Sequence, residues 1–168
     1  DSGNIDKAYA IYDSILSNST IKLDDATKSE LYFKRGLIAN ILQNYPQALD
    51  DLRTTVKMTQ LHYDALMTIA KTYTDLKQPL LAIAALQQGL IVTDNKTKRR
   101  GNIYYDMGKI WGDDFNDHDE AGIYYEGALN NGASNVDLIE RSLEIYKRNG
   151  RYHEALELAD TLTKTTTN

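Results

Sequence analysis

The chain has 168 residues, 42% of them hydrophobic, and a formal net charge of −5. This size and apolar content can bury a sizeable core, and the absence of cysteine excludes disulfides, thiolate metal sites and cysteine nucleophiles. The negative charge argues against nucleic acid or an anionic membrane as the main partner, because phosphate binding requires clustered Lys and Arg.

Apolar residues recur at helical offsets along the whole chain, which predicts an all-α protein. About nine helices are expected, at 5–17, 26–43, 46–58, 63–77, 79–92, 98–111, 118–130, 135–149 and 152–163. Pro46 and Pro79 open two of them, where a missing N–H is harmless. Thr27 and Ser134 are predicted to start capping boxes, and Asn149-Gly150 a helix end.

Small residues repeat at a fixed distance. Ala48 and Ala82 lie 34 residues apart, as do Ala121 and Ala155, and each alanine ends a similar four-residue stretch. Twelve or thirteen residues earlier stand Gly36, Ala70, Gly108 and Leu143. A period of this length is typical of helical hairpins that stack side by side and present an open concave surface.

The repeat resembles the tetratricopeptide repeat. The best match is Tyr104-x2-Met107-Gly108-x2-Trp111, followed by Ala121-x3-Tyr125. The copy around Gly36 departs from the pattern, with Arg35 and Ala39 in place of large apolar residues, and the last copy has Leu143 for the glycine. The resemblance implies a superhelical array of antiparallel helix hairpins, an α-solenoid of about four and a half repeats.

One domain is expected over 1–168. The repeat units are predicted at 1–20 (second helix only), 26–60, 63–94, 98–131 and 135–164. Because the chain starts inside a repeat, it is expected to be an excerpt of a longer chain. The spacings Ala8 to Ala48 and Ala82 to Ala121 are 40 and 39, so extra residues are expected in the connections, including a turn at 112–117.

The resemblance also implies a binding groove on the first helix of each hairpin. Its predicted residues are Phe33, Leu37, Asn40, Met67, Lys71, Asn102, Tyr105, Lys109, Glu140 and Glu144. Phe33, Met67 and Tyr105 would form a row that holds an apolar or aromatic anchor of a peptide. Packing against neighbouring repeats is the alternative explanation of the same three side chains.

Two clusters of charged residues are better explained as solvated surface segments than as binding sites. Five acidic residues at 113–120 lack the alternating ligands and central glycine of a calcium loop, so a solvated turn is expected, with Asp117 capping the next helix. The basic cluster at 96–100 is expected to be a solvated connection.

Enzyme chemistry is not predicted. The three histidines lie far apart without a zinc motif, and no nucleophile turn occurs. Asp64 and Asp106 could act as acid and base across the groove, but a solvated groove face explains them as well. No cofactor or metal is expected.

Membrane insertion is not expected, because the longest apolar run, 80–86, is far shorter than the roughly 18 residues that a membrane helix needs. No targeting segment appears in the chain, and its composition suits the cytoplasm and the periplasm equally.

Three functions fit these features. The first is a non-catalytic scaffold that binds a protein or peptide in the concave groove. The second is a sensory or regulatory segment of a larger bacterial signalling or transcription regulator. The third is a self-assembly module that associates through the uncapped N-terminal end.

Overall fold

The computed structural model describes residues 2–59, 62–95 and 97–166, which contain nine α-helices, one π-helical turn and no strand. The helices are α1 (Ser2–Ser17), α2 (Asp25–Ile41), α3 (Tyr45–Met58), α4 (Tyr63–Asp75), α5 (Pro79–Ile91), α6 (Lys98–Lys109), α7 (His118–Asn130), α8 (Val136–Arg148) and α9 (Tyr152–Thr166). The π-turn is Ile110–Asp114. All nine predicted helices are confirmed, with ends shifted by at most three residues.

The chain forms two compact units, Asp1–Val92 and Thr93–Asn168. In the first unit, each of the helices α1 to α5 packs against its neighbour in sequence, and α2 also contacts α4. In the second unit, α6 pairs with α7, α7 with α8 and α8 with α9. The expected single domain over 1–168 stays a prediction.

The alanines of the repeat lie at the helix crossings. Ala48, Ala82, Ala121 and Ala155 are all buried. Their partner Gly36 has Leu52 so close that a Cβ there would sit 3.0 Å from Leu52 Cγ. A Cβ on Gly108 would overlap the ring of Tyr125. Small residues are therefore required at these crossings because the two helix backbones approach closely.

The turns of the four hairpins share one backbone conformation. A residue with positive φ follows the C-cap of each first helix, or of the π-turn that continues α6: Gln43 (58°), Lys77 (57°), Asn116 (55°) and Gly150 (71°). In three of the turns the next residue donates its N–H to the carbonyl five positions earlier, at 2.8 Å, for the pairs Asn44–Ala39, Gln78–Tyr73 and Arg151–Tyr146. These are the hydrogen bonds of a Schellman motif, which satisfies the last carbonyls of the helix.

The remaining turn carries one extra residue. Asp117 donates its N–H to the carbonyl of Trp111, six positions earlier, at 2.9 Å, and Trp111 lies within the π-turn. The insertion explains why Gly108 precedes Ala121 by thirteen residues, whereas the other hairpins have twelve. The extra residue predicted at 112–117 is thus absorbed in the helix end, since a π-turn adds one residue without breaking the helix.

Two predicted capping boxes are wrong. Asp24, not Thr27, caps α2, and its Oδ1 accepts the Thr27 N–H at 2.7 Å. Asn135, not Ser134, caps α8, and its Oδ1 accepts the Leu138 N–H at 2.8 Å. A cap has non-helical backbone angles, whereas Thr27 already lies inside α2.

Candidate functional site

The predicted groove residues lie on the first helices of the hairpins, α2, α4, α6 and α8. Phe33, Leu37, Asn40, Met67 and Lys71 belong to the first unit. The other five lie on α6 and α8 in the second unit, and they are Asn102, Tyr105, Lys109, Glu140 and Glu144.

Two groove residues of the first unit link α2 to α4. The ring of Phe33 lies against that of His62, with centroids 4.3 Å apart, and His62 caps α4 by accepting the Ala65 N–H at 3.2 Å. Asn40 Oδ1 accepts the Thr72 hydroxyl at 2.8 Å. Phe33 and Asn40 are therefore half-buried and engaged with the neighbouring repeat.

The other three groove residues of this unit have more freedom. Leu37 and Met67 are half-buried, and Lys71 is exposed. The Lys71 ammonium lies 3.4 Å from Asp75 one turn later, a surface pair of the kind that contributes little to stability. An incoming side chain could therefore contact Lys71 without disturbing the fold.

In the second unit, Tyr105 is part of a polar network. Its hydroxyl donates to Asp137 Oδ2 at 2.5 Å, and Lys109 Nζ lies 5.6 Å from the centre of its ring. Burial and the hydrogen bond to Asp137 raise the pKa of Tyr105. Burial opposes ionisation of Asp137, but hydrogen bonds from Tyr105 and Arg141 outweigh it and lower the pKa of this carboxyl.

Arg141 is the centre of that network. It donates from Nε to Asp137 at 2.8 Å, and from its terminal nitrogen to Asp113 at 2.7 Å and to the Tyr125 hydroxyl at 3.4 Å. The hydrogen bond to Asp113 raises the pKa of Arg141. One guanidinium thus ties α8 to the π-turn and to α7, and the geometry of all three is held by charge-assisted hydrogen bonds.

A cleft of about 800 Å³ opens beside Arg141. Its lining comes from the π-turn, α7 and α8: Gly112, Asp113, His118, Ala121, Tyr125, Asp137, Glu140, Arg141, Glu144, Ile145, Lys147 and Arg148. The predicted groove residues Glu140 and Glu144 are both exposed there, one turn apart on α8. Asn102 and Lys109 are half-buried on α6 and do not line the cleft.

The sequence pattern did not predict His118, Tyr125 or Asp113 as contributors to this cleft. In the sequence, Tyr125 belongs only to the repeat motif, and Asp113 only to a turn that is expected to be solvated. The signal that could have found them is the extra residue between Gly108 and Ala121, which produces the π-turn. π-turns within helices occur frequently at functional sites.

Asp106 on α6 is half-buried. Burial raises its pKa to about 6, and the nearby Lys109 only partly offsets this effect. Asp64, its proposed partner in acid–base chemistry, lies in the other unit. Acid–base chemistry between the two carboxylates therefore stays an untested alternative.

The acidic turn is engaged in internal contacts. Asp117 caps α7, as predicted, by accepting the Glu120 N–H at 3.0 Å, and Asp113 pairs with Arg141. Across 2–59, 62–95 and 97–166, no group of three or more His, Asp or Glu side chains could hold a metal ion.

The basic connection leads into α6. Thr97 caps that helix, and Arg100 lies over the ring of Tyr104 at 5.6 Å. Lys96 lies outside the described residues. Within the part of the chain that the structure describes, no helix is long and apolar enough to span a bilayer.

Comparison with known proteins identifies the fold. No protein-family profile matches the chain, and no curated protein sequence matches it significantly. The solved structures of MamA and of BtubC from P. vanneervenii do match. MamA has a TM-score of 0.76 and 18% identity over 99% of this chain and 91% of its own. BtubC has a TM-score of 0.78 and 16% identity over 99% of this chain and 74% of its own.

A third matching structure is that of a tetratricopeptide-repeat (TPR) protein. YrrB, described as a TPR protein with an unusual peptide-binding site, matches with a TM-score of 0.66 and 18% identity over 97% of this chain and 78% of its own. All three neighbours are of the tetratricopeptide-repeat type. The chain therefore has the all-α fold of tetratricopeptide-repeat proteins, an α-solenoid of helical hairpins.

Proposed function

We propose that the chain is a non-catalytic scaffold that binds a peptide or protein partner on its first helices, with the cleft beside Arg141 as the main pocket. The observation that carries the proposal is the cleft itself. Its volume of about 800 Å³ falls within the range of roughly 300–1,000 Å³ that is usual for ligand pockets. The peptide-binding description of YrrB supports a role of the same class.

The charges in the cleft indicate what part of a partner it accepts. Asp113 and Asp137 are paired with Arg141, so their charges are compensated within the protein. Glu140 and Glu144 form no ion pair among the described residues. Lys147 and Arg148 line the same cleft, so its charges are mixed. Glu140 and Glu144, two carboxylates one helical turn apart, favour a Lys or Arg side chain, which can donate hydrogen bonds to both.

Tyr105 and Arg141 prepare the site for binding. Their hydrogen bonds hold Asp137 in one position before a partner arrives, which lowers the entropic cost of association. Because a few residues carry most of the binding energy, Glu140 and Glu144 are expected to dominate the affinity. Lys71, Leu37 and Met67 supply the contact surface of the first unit.

The test uses peptides selected from a random display library on the immobilised chain. We expect the selected peptides to contain Lys or Arg, and the double variant Glu140→Gln/Glu144→Gln to weaken their binding at least tenfold in calorimetry. The exposed Glu157→Gln on α9 is the matched control and should leave the affinity unchanged. Helical content by circular dichroism should be the same in all three proteins.

Two outcomes would contradict the proposal. If the peptides bind the double variant as tightly as the wild type, the cleft is not their site. If selection yields only acidic or uncharged peptides, the charge argument for Glu140 and Glu144 is wrong.

A further inference from the structure

The helix α5 is chemically unlike the other helices of the array. Its 13 residues, Pro79–Ile91, include no charged side chain. Three large apolar residues on it are nevertheless exposed: Leu80 by 71%, Leu81 by 48% and Ile91 by 83%. Ala84, between them on the helix, is exposed as well.

The repeats themselves provide an internal comparison for these four positions. At the positions of Leu80, Leu81, Ala84 and Ile91, α3 has Pro46, Gln47, Asp50 and Lys57. At the same positions α7 has Asp119, Glu120, Ile123 and Asn130, and α9 has His153, Glu154, Glu157 and Lys164. The other second helices thus have polar or charged residues at nearly all of these positions, so the fold does not require apolar residues there on α5.

A groove of about 340 Å³ runs beside this face, between α3 and α5. Leu66, Ile69 and Ala85, all buried, are part of its lining, and Leu81 and Ala84 line its α5 side. The groove is therefore apolar along its base and continuous with the exposed leucines of α5. Larger apolar patches on soluble proteins commonly mark interaction sites.

The charged residues that line the groove are both basic. Arg53 and Lys57 stand one turn apart on α3, and neither forms an ion pair with a carboxylate among the described residues. The Arg53 guanidinium donates to the Tyr73 hydroxyl and lies 5.8 Å from the centre of its ring. Asp50, one turn before Arg53, does not line the groove. A positive edge in a chain of net charge −5 runs against the overall composition.

We propose that α5 and the groove between α3 and α5 form a second docking surface, which binds an amphipathic helix of a partner protein with acidic residues beside its apolar face. The exposed apolar residues extend from Leu80 to Ile91, about 16 Å along a helix that rises about 1.5 Å per residue. That length matches about three turns of a partner helix, whose i, i+3, i+4 and i+7 side chains would contact the apolar base. Acidic side chains at its edge would meet Arg53 and Lys57.

This surface lies on α3 and α5 over a base that α4 supplies, and it shares no residue with the cleft beside Arg141. The proposal therefore does not depend on the proposed function, and each can fail without the other. The variant Leu80→Asp/Leu81→Gln tests it, because α7 has Asp119 and α3 has Gln47 at the same positions, so the fold tolerates these residues.

The experiment selects from a displayed library of helical peptides with fixed leucines at i, i+3, i+4 and i+7 and random residues elsewhere. The wild-type chain is the target, and the Leu80→Asp/Leu81→Gln variant is used for counter-selection. We expect enriched peptides to carry net negative charge. In fluorescence anisotropy their affinity should fall at least tenfold for the double variant and several-fold for Lys57→Glu. The control Ile123→Glu, an exposed isoleucine on α7, should leave it unchanged.

Three results would overturn the proposal. The first is that no peptide binds the wild-type chain in preference to the double variant, or that the peptides that do so are neutral or basic. The second is self-association of the wild-type chain that the double variant abolishes, which would make a second copy the occupant. The third is binding to vesicles of anionic lipid that the double variant abolishes, which would assign the surface to a membrane.

Discussion

Arg35 and Asp51 form a bidentate ion pair between α2 and α3, with both hydrogen bonds at 2.7 Å. Asp51 is fully buried and Arg35 is 9% exposed. The hydrogen bonds that Arg35 donates to Asp51 raise the pKa of Arg35 despite its burial, and Asp13 of α1 accepts a third bond at 2.7 Å. Arg35 therefore departs from the repeat pattern because it connects three helices.

Removal of one partner should be strongly destabilising. Asp51→Asn removes the buried counter-charge of Arg35 and leaves only the exposed Asp13 to pair with it, and we expect a loss of about 3–5 kcal/mol of unfolding free energy. The next repeat has Ile69 and Ala85 at the same two positions. The double variant Arg35→Ile/Asp51→Ala should therefore recover most of the loss, within about 1 kcal/mol of the wild type. Urea denaturation measures both values, and a double variant as unstable as the single one would contradict this account.

The glycine at a helix crossing should be indispensable in the third hairpin. Gly108→Ala places a Cβ against the ring of Tyr125, and we expect it to destabilise the protein by about 1–3 kcal/mol through overpacking. Gly127→Ala is the control, because its Cβ would meet Tyr104 at 3.4 Å, an ordinary contact. That substitution should stabilise α7 by up to about 1 kcal/mol, since alanine favours helix more than glycine does. Thermal denaturation of the two variants should give opposite shifts.

The hairpin turns offer a stabilising substitution. Lys77 has a φ of 57°, a conformation that costs a residue with a Cβ about 1 kcal/mol or more. Lys77→Gly should therefore raise stability by about 0.5–1 kcal/mol, and Gly150→Ala, at the same position of the last hairpin, should lower it by a similar amount. Gln78→Gly is the control, because Gln78 has a φ of −117° and gains nothing from glycine. A stabilising effect of Gln78→Gly would show that the turn backbone is not the cause.

Asp106 should make stability depend on pH. Its pKa is about 6 in the folded chain against an ordinary value of 3.8, so between these values the folded state binds more protons than the unfolded state. Its contribution is therefore most favourable at low pH and is lost as the pH rises through about 6. We expect Asp106→Asn to raise the melting temperature at pH 7 and to have a smaller effect at pH 4. The control is Asp50→Asn, at an exposed position on α3, which should change the melting temperature little at either pH. An equal gain in melting temperature from Asp106→Asn at both pH values would show that burial of this carboxyl is not the cause.

The sequence by itself determined the helices and the spacing of their crossings. Apolar residues at helical offsets and buried alanines 34 residues apart are local or periodic features, and Pro46 and Pro79 mark helix starts through their missing N–H. The predicted caps failed at Thr27 and Ser134 because several adjacent residues can cap, and only the backbone conformation selects Asp24 and Asn135.

Only the tertiary structure decided which polar side chains meet. Arg35 and Asp51 are 16 residues apart, and Arg141 and Asp113 are 28 apart, so no local pattern pairs them. The extra residue before Ala121 was visible in the spacing, but its absorption in a π-turn beside a cleft depends on how α6, α7 and α8 pack. Periodicity specifies which residues are buried, whereas the position of a charge depends on long side chains that bridge helices, and these contacts exist only in the folded chain.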